Sequence, residues 1–161
     1  MADMNAITRS GFVLAVIVSA LALLGSPAGA TAPTEASGLI QETALVPTGF
    51  RAADGNLFIS MSIFGTYSGT YSGDFVQEIE LIVHSDGSVN FHGTAVCACT
   101  VAGLGSGTLV WKVTGTGTPT TGAGTYTIVS GTGDLESARG QGTFTAAGGI
   151  ATYVGRQHYE P

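Results

Sequence analysis

Beyond residue 43, the apolar residues of this chain recur at every second position, in short runs separated by glycine-rich turns. That period belongs to a β-strand with one buried face, and no helical period longer than one turn competes with it. Leu57, Ile59, Met61, Ile63 and Tyr67 share one face of a strand, with Ser60, Ser62, Thr66 and Ser68 mostly opposite. Phe75, Ile79, Leu81 and Val83 share a face of the next, opposed by Glu78, Glu80 and His84. Val89, Phe91, Ala95 and Cys97 follow, then Leu109, Trp111 and Val113. Tyr126 with Ile128, Phe144 with Ala146, and Ala151 with Tyr153 complete the series. With a first strand around Thr43–Phe50, the pattern predicts about eight strands, spaced as in a sandwich or barrel. Only one face of each strand is apolar, so the other is expected to be wet.

Two hairpins can be read in register. A two-residue Asp86-Gly87 turn would pair Ser85 with Ser88 and put Glu78 and Glu80 on the Phe91 face. A three-residue loop with Gly87 left-handed pairs His84 with Ser88 instead. It sets Leu81 against Phe91 and Val83 against Val89 on one face, with Glu80 against His92 and Glu78 against Thr94 on the other. A one-residue slip would send every side chain to the wrong face, so the second register is expected. In the last hairpin a Gly148-Gly149 turn pairs Phe144 with Tyr153 and Thr145 with Thr152. The stretch Thr114–Thr125 reads as a strand end, a loop around Pro119 and a strand start. The repeated GTYSGTYSG at Gly65–Gly73 is a local duplication.

The first thirty residues have a different character. Arg9 precedes the apolar stretch Phe12–Leu24, which is too short to span a bilayer comfortably. Gly25, Ser26 and Pro27 break it, and Ala28-Gly29-Ala30 supplies the small residues that signal peptidase needs. Residues 1–30 therefore read as a signal-peptide helix, 31–42 as a polar linker and 43–161 as the β domain. The expected location is secreted, periplasmic or extracellular.

Charge excludes several roles. The chain carries five Lys and Arg against eleven Asp and Glu, and the basic residues are scattered. Nucleic-acid binding needs clustered cations, so it is not expected. A polybasic membrane patch is excluded for the same reason. An eight-stranded outer-membrane barrel is a weak alternative, because the outward faces look hydroxyl-rich rather than apolar, and no stable membrane insertion is expected after signal cleavage.

Few residues are candidates for chemistry. Cys97 and Cys99 are the only cysteines, in a chain bound for an oxidising compartment. Two apart in a regular strand they lie about 6.8 Å apart, too far for a disulfide unless the strand breaks near Ala98. Two free, buried core thiols are the favoured reading, and a strained pair the alternative. No histidine lies beside them at a ligand spacing, so neither a metal nor a cofactor is expected. Glu78, Glu80 and His92 form the one carboxylate–imidazole cluster that the pairing produces. A general acid or base role is one reading. A solvated outer face, where such a pair adds little, is the favoured one. No serine nucleophile motif, phosphate loop or zinc motif is present.

The most specific string runs from Gly131 to Phe144, GTGDLESARGQGTF. It reads as a strand end, one tight helical turn and a strand start. Asp134 is the expected N-cap of the turn, and Leu135 can plug one end of a core. Arg139 is expected to pair with Asp134 or Glu136, while Gly140 and Gly142 allow sharp turns and close packing. This string resembles the G-[TS]-G-[DE]-[LF]-x-x-[AL]-R-G-x-G motif of a bacterial domain family of unknown function. That family belongs with the allene oxide cyclase barrel-like proteins, and plant dirigent proteins carry a similar string. The resemblance extends over Asn56–Glu160, with Gly131, Gly133, Asp134, Arg139, Gly140 and Gly142 as its structural marks. It implies an all-β, eight-stranded, calycin-like antiparallel barrel. It implies no shared activity, because fold does not fix function, and no catalytic residue is carried over.

The function that the sequence favours is a secreted barrel holding a small apolar molecule in its interior. Leu81, Phe91, Trp111, Tyr126, Phe144 and Tyr153 are the expected lining. Trp111 is expected to point inward, near Phe91, Phe144 and Tyr153. A cyclase or isomerase that works by confining a reactive substrate is the rival, and a structural or surface β protein without a ligand the third reading. The balance of the sequence is against an enzyme.

Overall fold

A computed structural model of the protein describes residues 31–160, so the expected signal peptide lies outside the described residues. Eight antiparallel strands follow one another in chain order: β1 (Thr34–Ala53), β2 (Asn56–Gly69), β3 (Tyr71–Val83), β4 (Val89–Val101), β5 (Gly105–Thr118), β6 (Thr121–Gly131), β7 (Ala138–Ala147) and β8 (Ile150–Tyr159). Each pairs with the next, and β8 pairs back onto β1, so the sheet closes into a barrel. Closure covers the sheet edge wherever β1 and β8 overlap, over Thr34–Gln41.

The hairpin registers expected from side-chain alternation are present. Leu81 faces Phe91, Val83 faces Val89, Glu80 faces His92 and Glu78 faces Thr94. The three-residue turn is closed by the His84 N–H donating to the Ser88 carbonyl at 2.9 Å, with Gly87 at φ +83°. Phe144 pairs with Tyr153 and Thr145 with Thr152 across Gly148-Gly149. Thr118 pairs with Thr121 around Pro119-Thr120.

The linker expected at 31–42 is corrected: from Thr34 onward it is part of β1. Residues 34–41 pair with β8, and β1 from Gly38 onward pairs with β2. The alternation is there, with Ala36, Gly38 and Ile40 turned inward, but small residues give a weak apolar signal. Gly38 and Ile40 are held by strands on both sides, and Ala36 by β8 alone. Past Gln41 the strand pairs with β2 alone, and its register shifts between Glu42 and Ala44 and between Pro47 and Gly49. Such an irregular, one-sided stretch tolerates a proline.

Cys97 and Cys99 are also corrected. Both are fully buried, as expected of core residues, but they are joined as a disulfide. Their Cα atoms lie 5.3 Å apart, closer than the ~6.8 Å of an extended strand. The expected break near Ala98 is absent, since Cys97 and Cys99 keep their partners on β3 and β5. Gly73 makes room for the compressed strand. It lies opposite Cys99 at φ +149°, and a Cβ there would strike the Ala98 carbonyl.

The two ends of the barrel differ. The 3-10 turn Gly133–Leu135, between β6 and β7, closes one end, where Leu135 is wholly buried. Val101, Leu109, Ile128 and Ala138 pack with it into a solid core. The β5–β6 and β7–β8 turns lie at the other end, which is open.

Candidate functional site

Above the plugged end the barrel encloses a cavity of about 520 Å³. Its walls follow from an alternation of aromatic residues with glycine. Inward positions beside a large ring are repeatedly glycine, so the ring lies flat against the wall. A Cβ on Gly142 or Gly155 would strike the Tyr126 ring or its hydroxyl, and one on Gly124 would crowd Phe144. Rings laid over glycine cover the wall without filling the centre.

Leu81, Phe91, Trp111, Tyr126, Phe144 and Tyr153 all line this cavity. Trp111 points inward and is buried, but its ring neighbours differ from those expected. It stacks on Tyr67 at 5.0 Å between centroids and meets the Tyr71 ring edge-on at 5.5 Å. Tyr153 stacks on Tyr71 at 5.5 Å. Phe91 and Phe144 form a separate pair nearer the opening, 6.0 Å apart. Phe91 leans over Gly115 and Gly122, away from the indole. The floor is therefore a cluster of tyrosines and one tryptophan, and the upper wall is phenylalanine and aliphatic. Burial pushes the phenol pKa values up, that of Tyr126 to about 12.

One carboxylate belongs to this wall. Glu42 continues the inward series Ala36, Gly38, Ile40 on β1 and lines the cavity near its rim. Its backbone N–H donates to the Gly149 carbonyl at 2.9 Å, which ties it to the β7–β8 turn. Burial holds its carboxyl pKa above the usual range. Among the described residues no Lys, Arg or His lines the cavity, and the ion pairs involve Glu160 instead. Sequence reading missed Glu42 because it fell inside the expected linker. The alternation of Ala36, Gly38 and Ile40 was the signal that could have found it. Gln77, on β3, was missed as well, although it alternates with Phe75 and Ile79 and also lines the cavity.

Glu78, Glu80 and His92 lie on the outer wall, away from the cavity. Glu78 Oε2 accepts a hydrogen bond from Ser62 Oγ at 3.0 Å, and no ion pair joins Glu80 to His92.

The Gly131–Phe144 string builds the plugged end and is not part of the cavity wall, apart from Phe144. Gly133 has φ +62° at the start of the turn, and a Cβ on Gly131 would strike the Leu135 carbonyl. Two expectations are corrected. Asp134 does not cap the turn, since the N-cap position is Thr132; Asp134 Oδ2 instead accepts the Ser106 N–H at 3.0 Å, tying the turn to β5. Arg139 pairs with Glu160, Nε to Oε2 at 3.1 Å, because β7 and β8 run side by side there. It reaches Glu136 only through that residue's backbone carbonyl. Gly140 and Gly142 pack closely, as expected, against β8 and the Ile128 and Tyr126 side chains.

Residues 40–154 match the model of a family described as "Protein of unknown function (DUF3224)". No curated protein matches the chain. Among solved structures, the chain is similar to a protein of unknown function from the DUF3224 family of Shewanella oneidensis MR-1. The two are 19% identical, with a TM-score of 0.68 over 81% of this chain and 99% of that one. At that identity the likeness is one of fold, and it agrees with the eight-stranded barrel described above.

Proposed function

The chain belongs to the DUF3224 family of proteins of unknown function, and we propose that it is a container for one small, mostly apolar molecule. The observation that carries this reading is the cavity of about 520 Å³, closed below by Leu135 and open at the rim. Its size falls within the ~300–1,000 Å³ of small-molecule sites, and its walls are mostly apolar with a few polar groups. A barrel without a guest-holding role has no need for it, since protein interiors otherwise close-pack. The container works outside the cell in this reading. The Ala28-Gly29-Ala30 sequence and the Cys97–Cys99 bridge, suited to an oxidising compartment, support export. The Gly131–Phe144 string and the closed eight-stranded barrel support a wider kinship with the allene oxide cyclase barrel-like proteins, without their chemistry.

Trp111 provides the test, because it is the only tryptophan and lines the cavity. Small hydrophobic compounds titrated into the protein should shift or quench its emission saturably. Phe144→Trp, which fills the upper chamber, should abolish binding as measured by calorimetry. The absence of a saturable response by both methods across a chemically broad panel would overturn the reading.

A further inference from the structure

The container reading leaves open what kind of molecule the cavity selects, and Glu42 bears on that. We propose that the guest is an apolar amine, with its hydrocarbon body among the rings of the cavity and its ammonium on the Glu42 carboxylate at the rim. The inference rests on the container reading.

Glu42 lines a wall that is otherwise aliphatic, aromatic and neutral. A carboxylate in such a place is costly unless a cation or hydrogen-bond donors meet it. Among the described residues, the elements packed against it offer no cation. On β2 it faces Gly65, and on the β8 side it lies beside the Gly148-Gly149 turn and Ile150. The titratable groups across the cavity are Tyr67, Tyr71, Tyr126 and Tyr153, neutral at physiological pH because burial disfavours their phenolates. A carboxylate left unpaired on the wall is matched by a cation that the guest brings with it. Burial raises the Glu42 carboxyl pKa, and an ammonium beside it would lower it again. Position supports the same orientation. Glu42 lies near the rim, where a charged head keeps part of its hydration, while Phe91, Phe144 and Trp111 line the space for an apolar body. A carboxylate guest would meet like charge at the rim, and a neutral guest would leave Glu42 unmatched.

The test compares three guests of one skeleton by calorimetry: 1-naphthylmethylamine, 1-naphthylmethanol and 1-naphthoate. The amine should bind about tenfold or more tighter than the alcohol at neutral pH, as a charge-assisted hydrogen bond warrants, and the acid should bind most weakly. In Glu42→Gln the amine advantage should vanish while the alcohol still binds, which also shows that the variant is folded. In the wild type the advantage should shrink as acid protonates Glu42. Equal binding of amine and alcohol by the wild type would overturn this inference and leave the container standing. So would an amine advantage that survives Glu42→Gln. Failure of all three guests to bind would overturn both.

Discussion

The Tyr153 hydroxyl accepts a hydrogen bond from the Tyr71 backbone N–H at 3.0 Å, joining β8 to the start of β3 across the barrel interior. Its own proton is directed at the Ser68 carbonyl, 3.4 Å away. The contact passes over β1, which lies between β8 and β2, and is possible because residue 38 is glycine. A Cβ there would strike the Tyr153 hydroxyl and the Ser68 carbonyl.

Tyr153→Phe keeps the stacked ring but leaves the Tyr71 N–H buried without its partner. An unsatisfied buried donor costs about 1–3 kcal/mol. Denaturant unfolding should show the free energy of unfolding lowered by that amount, through a lower midpoint at an unchanged slope. A loss below about 0.5 kcal/mol would mean that the hydroxyl does not hold the floor together.

The tyrosines set an alkaline limit. Burial raises the pKa of Tyr67, Tyr71, Tyr126 and Tyr153, whereas an unfolded phenol titrates near 10. Between the two values the unfolded chain gives up protons that the folded chain keeps. The stabilisation is therefore whole below pH ~10 and falls as pH rises beyond it. Phenolate absorbance should stay low in folded protein past pH ~10 and then rise together with loss of the fold. Ionisation of these four at pH ~10 in protein that stays folded would contradict their burial.

The Cys97–Cys99 bridge should leave no free thiols in denatured, unreduced protein, and two after reduction. It closes a very short loop, so by loop entropy its removal in a Cys97→Ala/Cys99→Ala variant should cost only about 1–2 kcal/mol. Two free thiols before reduction, in protein from an oxidising compartment, would show that the pair is not bridged.

Much of this fold was legible because the inward face of most strands alternates as an apolar series, although the outer faces also carry apolar residues such as Phe64, Val76 and Val96. The Glu80–His92 register could be read from the sequence, since a slip would have turned the glutamates inward. Most of the large inward residues of β3 to β8 followed from the same rule, although Gln77, a polar residue on the inward face of β3, did not. β1 was only partly legible: Ala36 and Gly38 carry little apolar surface, and the strand is defined by neighbours far along the chain. Glu42 was lost with it. The cysteines were misjudged because regular strand spacing forbids the bridge, and Gly73 opposite Cys99 lets the strand compress. Asp134 and Arg139 found partners on β5 and at the end of the chain, contacts that no local pattern encodes.

The claim that the cavity holds an apolar guest is tested most directly by NMR of the folded protein with a small aromatic hydrocarbon. Intermolecular NOEs should join the guest to Phe91, Phe144, Ala146 and the Trp111 indole, and should saturate at one guest per chain. The outer wall also carries a row of exposed apolar residues, Phe64, Val76 and Val96, paired side by side on β2, β3 and β4. NOEs confined to that row, or none that saturate on the cavity wall, would contradict the account.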